Sequence, residues 1–387
     1  MKKILLCVSG MSPAIVTETL YALIHPEPSE TPWIPDEIHI ITTMAGLGKI
    51  DEELLKPETG HFYQLMRDYL PASTIRFGAD TLHTIKASGT ALNDIVSDAD
   101  NKAAGDSIYR IMRNLKGTKD AVTQLHVSIA GGRKSMSFYV GHSFSLIADH
   151  NDMLSHVLVN EPFDNPVLKF YFPPRQPIEL IVHNRGAELK VNTADARVTL
   201  AKLSVLRLGK LFQDNWPDKA KQSFDLAVRL AQDALVPPVM ALFLNAQRRG
   251  VLYVSGENIH LSPQQFMVFA IFALAKKHAG ELPEQGLFKL DDMTNDFWKD
   301  ISDKILGIRF DETKKMNGDV VLSKINDKLK TQIGAVAGHF KIEAIGKIEK
   351  GTKGTGVRRP YSIKASAECL NTDALPRSWL SALKENL

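Results

Sequence analysis

The sequence predicts an α/β protein. Its N-terminal half should form a mainly parallel sheet with helices on its faces, followed by a helical connector and a smaller α+β domain. Three observations predict this. Lys3–Val8 is a near-continuous apolar run, as expected for a strand buried on both sides, and Leu125–Ala130 reads as another buried strand. Each ends in a glycine-containing turn that opens a helical pattern, the alternation that builds parallel sheets. Beyond about residue 239 the pattern changes to short strands around Gln247-Arg248-Arg249-Gly250, a hairpin signal.

Lys3–Val8 reads as a central strand, and Ser9-Gly10-Met11-Ser12-Pro13 as a turn whose proline suits the first position of a helix running to about Leu23. Pro26–Pro35 reads as a surface loop. Glu37–Thr43 is a second strand, Gly60–Tyr69 a helix and Thr74–Phe77 a short strand. Asp98–Leu115 carries Ile108, Ile111, Met112 and Leu115 at helical spacing. After Leu125–Ala130 and its Gly131-Gly132 turn, Lys134–Asp149 is the next helix. Leu154–Val159 and Pro177–Val182 finish the sheet at its edge. Residues 1–190 therefore form the first domain. Residues 191–238 form the connector, with amphipathic helices expected over Asp195 to about Phe212 and over Lys219–Leu235. Residues 239–387 form the last domain. There Met240–Leu244 and Gly250–Val254 are strands, and Ser262 with Gln265 makes a capping box for a helix through Lys277. Val320–Ile333 is a further helix. Phe340–Glu349 and Arg358–Ala365 are strands flanking a basic, glycine-rich tip.

The chain has 387 residues, 44% hydrophobic and 24% charged, so a sizeable core is expected and dominant disorder is excluded. Lys2-Lys3 and the short apolar run after them imitate a signal peptide, but the run stops at Ser9-Gly10, too soon for a leader or a membrane span. With only two cysteines, neither a disulfide framework nor a cysteine zinc site is supported. A soluble, cytoplasmic protein with no membrane association is the expectation. The net charge of +3 hides an asymmetry. Residues 1–200 carry 19 basic against 23 acidic residues, and residues 321–364 carry 10 against 3. A segment that basic attracts polyanions, although a solvated lysine-rich face is the simpler explanation.

Two turns carry the chemistry. Ser9-Gly10-Met11-Ser12-Pro13 and Ala130-Gly131-Gly132-Arg133-Lys134-Ser135 both follow predicted strands of one sheet, where open α/β sheets bind ligands. Their glycines let backbone amides approach a ligand, and each turn opens a helix whose positive end favours anions. Arg133 and Lys134 add positive charge, so a phosphate-bearing ligand is expected. The spacing matches neither a Walker loop nor G-x-G-x-x-G. An ordinary strand-to-helix turn is the alternative for either segment taken singly.

The Ser-Gly-x-Ser-Pro start with Val16-Thr17-Glu18-Thr19, followed later by Ala-Gly-Gly-Arg-Lys-Ser-Met, resembles the CARF domains. These are CRISPR-associated Rossmann-like sensors of cyclic oligoadenylate. The similarity covers roughly residues 1–190 and is closest to the standalone ring-nuclease branch. It implies metal-independent cleavage of cyclic tetra-adenylate by a homodimer, with no cofactor. A serine of the first turn and the lysine of the second would be catalytic, which by motif position are Ser12 and Lys134, with Ser9 the rival serine. Ser9, Gly10, Met11, Gly131, Gly132, Arg133 and Ser135 would contact the ligand.

Other candidates are weaker. Arg76 and His83 match the loose spacing of HEPN ribonucleases, best read as coincidence. Asp94, Asp98, Asp100 and Asn101 read as a loop and helix cap rather than a magnesium site. No histidine pair has metal-ligand spacing. The C-terminal region resembles a winged helix of the response-regulator type, in pattern only. That resemblance implies duplex DNA as a partner, with helix 320–333 in a groove and Lys350, Lys353, Arg358 and Arg359 as contacts to DNA or as a lid over the ligand. Two rivals to the enzyme follow: a ligand-sensing transcriptional regulator that does not cut, and an effector with an unrecognised C-terminal nuclease.

Overall fold

The computed structural model describes residues 1–117, 123–184, 187–212, 216–289, 297, 299, 318–345 and 360–386. The chain divides into two compact units. One comprises residues 1–213 with 221–225, the other residues 214–220 with 226–387.

The first unit is built on a six-stranded sheet. Strands β1 (Lys2–Val8), β2 (Glu37–Thr42) and β3 (Leu82–Thr84) lie to one side, with a small hairpin, β4 (Lys86–Ala87) and β5 (Thr90–Ala91), beyond. Strands β6 (Thr123–Ser128) and β7 (Met153–Val159) lie to the other. A second hairpin, β8 (Glu179–Asn184) with β9 (Ala187–Asn192), precedes the edge strand β10 (Val198–Lys202). The order in the main sheet is β10-β7-β6-β1-β2-β3, parallel except for β10. The chain therefore runs outward from β1 to β3, then returns to β6 on β1's other side. The gap between β1 and β6 is the topological switch point.

Helices cover both faces, which is why the central strands are apolar on both sides. Leu5 and Cys7 of β1 share a buried cluster with α1 (Ala14–Ile24) through Val16 and Leu20, and with α3 (His61–Tyr69) through Phe62 and Leu65. Between these helices lies α2 (Met44–Glu53). On the opposite face α4 (Asp98–Lys116) packs against β6 and against α5 (Lys134–Ile147), with Ile108, Met112, Val140 and Phe144 fully buried. Ser97 caps α4, its hydroxyl accepting from the Asp100 amide while Asp100 accepts from the Ser97 amide. Of the acidic cluster at this helix, Asp100 thus serves the expected cap, while Asp98 pairs with Lys102 and Asp94 with Arg133. After α6 (Gly209–Phe212), the ring of Phe224 sits among Tyr109, Tyr139 and His142.

The second unit contains α7 (Phe224–Leu235) from Leu226 onward. Its four-stranded sheet has the order β13-β12-β11-β17, from β11 (Met240–Leu244), β12 (Gly250–Val254), β13 (Glu257–His260) and β17 (Leu370–Asn371). A three-stranded sheet joins β14 (Phe288–Lys289), β16 (Pro360–Ile363) and β15 (Ile342–Ala344). Helix α8 (Pro263–Lys277) is buried from Phe266 to Ala275, which its all-round apolar sequence requires. The Ser262–Gln265 capping box forms as expected. Helices α9 (Gly318–Ile333), α10 (Ala337–Phe340) and α11 (Arg377–Asn386) also belong to this unit.

Several expectations need correction. Thr74–Phe77 is no strand. Only an isolated bridge joins Arg76 to Glu37, and Leu82–Thr84 takes the place beside β2. The strand expected at 177–182 belongs to the β8–β9 hairpin, not to the main sheet. The helix expected over 195–212 is mostly absent, because Val198–Lys202 pairs with β7 and closes the sheet edge. Lys350, Lys353, Arg358 and Arg359 lie outside the described residues. Among the described residues, no helix is long and apolar enough to cross a membrane.

Candidate anion-binding site

The two turns meet at the switch point. Strands β1 and β6 are parallel neighbours, so the segments after Val8 and after Ser128 emerge side by side. A Cβ on Gly10 would lie 3.4 Å from the Gly132 Cα, so the turns touch through their backbones. Two glycines are required for this. A Cβ on Gly131 would stand 2.4 Å from the Val8 carbonyl oxygen, and Gly132 has φ +80°, which other residues rarely adopt. Ser137 braces the second turn by donating to the Ile129 carbonyl at 3.0 Å.

The amides of Gly10, Met11 and Ser12, and those of Gly131, Gly132, Lys134 and Ser135, donate no hydrogen bond within the described residues. Neither Pro13 before α1 nor Arg133 before α5 supplies a side-chain cap. Two helix N-termini without side-chain caps and a set of N–H donors unpaired among the described residues thus lie in two turns that touch, an arrangement suited to phosphate oxygens.

The side chains divide sharply. Ser9 is fully buried, its hydroxyl 3.4 Å from the Gly10 carbonyl and 3.5 Å from that of Ser12. Ser12 and Met11 are exposed. Arg133 is exposed but engaged: its guanidinium makes a two-point ion pair with Asp94, holding that carboxyl down at about 2. Lys134 is exposed and has no ion-pair partner among the described residues. Of the two adjacent cations, Lys134 is therefore the one available to a ligand.

Neighbouring groups act behind the turns. Thr17 donates to the Tyr171 carbonyl at 2.8 Å from within the core, a supporting role. Glu18 is buried beside it, and desolvation pushes its carboxyl up to about 7. Burial also pushes the Cys7 thiol up, so it is no nucleophile. Arg76 and His83 are not brought to the crevice. Arg76 binds Glu37 and Asp80, while the His83 ring is 2.9 Å from His39. Among the described residues no three His, Cys, Asp or Glu side chains are grouped to hold a metal ion.

Two features escape sequence reasoning. Asp94 lies 39 residues before Arg133, and nothing local pairs them. At the end of β2, Thr42 Oγ1 is buried without a partner. That hydroxyl and the Gly10 carbonyl both border Gly46, where a Cβ would stand 2.2 and 2.8 Å from them. The β2–α2 turn is thus a third wall of the site, signalled in sequence only by Thr43, whose side chain caps α2.

Fold and turns together define a doubly wound α/β domain with two touching glycine turns at its switch point. The chain belongs to the CRISPR-associated protein NE0113 family, whose sequence model matches residues 12–235, from Ser12 through the second turn and beyond. It is therefore a CRISPR-associated protein. No curated protein matches it.

Proposed function

We propose that this chain is a ring nuclease that binds cyclic tetra-adenylate in the crevice and cuts it to linear products, so ending type III CRISPR signalling. The observation that carries the reading is the meeting of two turns with unpaired amides beside the unpaired Lys134. Family membership and the CARF resemblance of the two turns support it. The ligand is a symmetric ring, so a homodimer offering the same turns twice across a two-fold axis is part of the proposal.

The reaction uses the substrate's own nucleophile. A ribose 2′-oxygen forms a bond to the adjacent phosphorus while the bond to the 5′-oxygen breaks. The 2′-hydroxyl loses its proton and the departing oxygen gains one, leaving a 2′,3′-cyclic phosphate and a 5′-hydroxyl. The protein's task is to bend the backbone into line and to stabilise the charge that grows on the phosphate oxygens. Lys134 and the amides of both turns suit that charge, and the Ser12 hydroxyl can donate to a phosphate oxygen or hold the 2′-hydroxyl. No step requires a metal or a cofactor. Incubation of labelled cyclic tetra-adenylate with the protein in EDTA tests this. Linear products with cyclic phosphate ends are expected, whereas tight binding without products leaves a sensor.

A second reading concerns the other unit. Helix α9 buries Leu322, Ile325 and Leu329 and exposes Lys324, Lys328 and Lys330. That lysine face, with the winged-helix resemblance of the sequence pattern, supports a sensing regulator that binds duplex DNA.

A further inference from the structure

At the end of the sheet opposite the turns lies a cavity of about 500 Å³, within the range of small-molecule pockets. Met153 opens β7 and Lys202 ends the antiparallel β10, so both mark this end. The cavity sits beneath the last turn of α1 and the loop that follows it. Leu23, Met153 and Leu200 give it apolar walls, and the indole of Trp33 forms one side.

Its floor is His126, fully buried on β6. The Nε2 atom lies 2.7 Å from the Ser155 hydroxyl, while Nδ1 is buried with no hydrogen-bond partner. A buried polar atom left unpaired is costly and calls for an explanation. Trp33 does not supply the partner, since its indole N–H donates to Gln124 at 3.0 Å and its ring lies tilted at 5.2 Å from the imidazole. Burial holds the imidazole neutral, with its pKa pushed down to about 4. Because the Ser155 hydroxyl can either donate or accept, Nδ1 can present a lone pair or a proton. At the rim Lys202 is already paired with Glu30, and Glu27 adds a further negative charge.

We propose that this cavity is a second ligand site that takes an uncharged purine nucleoside. The base lies against Trp33 with one edge nitrogen or N–H completing His126 Nδ1, and the sugar faces the polar rim. Apolar walls with one buried, unpaired imidazole nitrogen suit a neutral heterocycle. The polar side chains of His25, Thr31 and Thr199 that share the lining suit a sugar, and the paired rim disfavours a phosphate. These observations are separate from those that carry the ring-nuclease reading.

The test is calorimetric titration of the full chain with adenosine and with guanosine. At least one should bind, and both His126→Leu and Thr31→Trp should weaken it by about ten-fold or more. Thr31 is an exposed residue at the mouth, so Thr31→Trp fills the cavity without disturbing the core and keeps the test valid if His126→Leu fails to fold. Lys134→Ala should leave nucleoside binding unchanged. No binding of either nucleoside at millimolar concentration overturns the proposal. So does binding that survives Thr31→Trp, or binding that Lys134→Ala abolishes.

Discussion

Asp94 holds Arg133 through both guanidinium edges, so the two neighbouring cations of the second turn have different states. Arg133 is committed to a carboxylate that stays ionised across the working pH range, whereas Lys134 is unpaired. Asp94→Asn releases Arg133 toward the crevice and removes a negative charge near it. Binding of a phosphate-bearing ring should therefore tighten in that variant, most clearly at low salt. Arg133→Ala should weaken binding only slightly. Equilibrium titration at two salt concentrations checks both; a large loss in Arg133→Ala would mean that Arg133 leaves Asp94 when ligand binds.

The two serines should separate in the same assay. Ser12 is exposed at the crevice, and Ser9 is buried with its hydroxyl directed at backbone carbonyls of its own turn. Ser12→Ala should slow cleavage by about ten-fold or more, as expected for losing one donor to the reacting phosphate. Ser9→Ala should act mainly on stability, lowering the melting temperature with a smaller effect on rate. The reverse order would give Ser9 the chemical role.

Glu18 predicts a pH signature. Desolvation raises its folded pKa to about 7, above the usual value of 4.5, so the folded state holds a proton that the unfolded chain has lost. Stability contributed by this group is full below pH 4.5 and is lost as pH rises toward 7. The loss reaches about 3 kcal/mol, then levels off. Glu18→Gln keeps the shape without the ionisation. The variant should match the parent near pH 4.5 and be more stable at pH 8, as measured by urea denaturation at the two pH values. An equal difference at both would show that Glu18 does not titrate there.

The basic C-terminal segment has its own test. If it binds duplex DNA, affinity should fall steeply with salt, because lysines and arginines displace condensed counterions. Neutralising Lys350, Lys353, Arg358 and Arg359 together should flatten that slope and leave ring cleavage intact. Unchanged DNA binding would reduce the charge to a solvated face.

Much of this was legible from local signals. β1 announces itself as an apolar run, Leu125 and Val127 mark β6, and the glycine turns after both strands mark the crevice. Ser262 and Gln265 form a cap that depends on residues only three apart. Errors arose where pairing is long-range. Val198 and Leu200 alternate with polar Thr199, a strand signal, yet the partner strand β7 lies some forty residues earlier and nothing nearby reveals it. Thr74–Phe77 has strand-like residues, but its backbone pairs with β2 only at Arg76, as an isolated bridge beside Glu37, and the ladder forms with Leu82–Thr84 instead. The site was readable as two turns. Its division into a bound Arg133 and an unpaired Lys134 was not, because Asp94 arrives from a distant loop.

The most direct test of the central claim is the single-turnover rate of cyclic tetra-adenylate cleavage by Lys134→Ala, measured in EDTA beside the parent protein. Loss of Lys134, which has no ion-pair partner among the described residues, should slow the chemical step by about 100-fold or more. Binding should weaken less, because the amides of both turns remain. A variant that stays folded and cuts the ring at the parental rate would contradict the account.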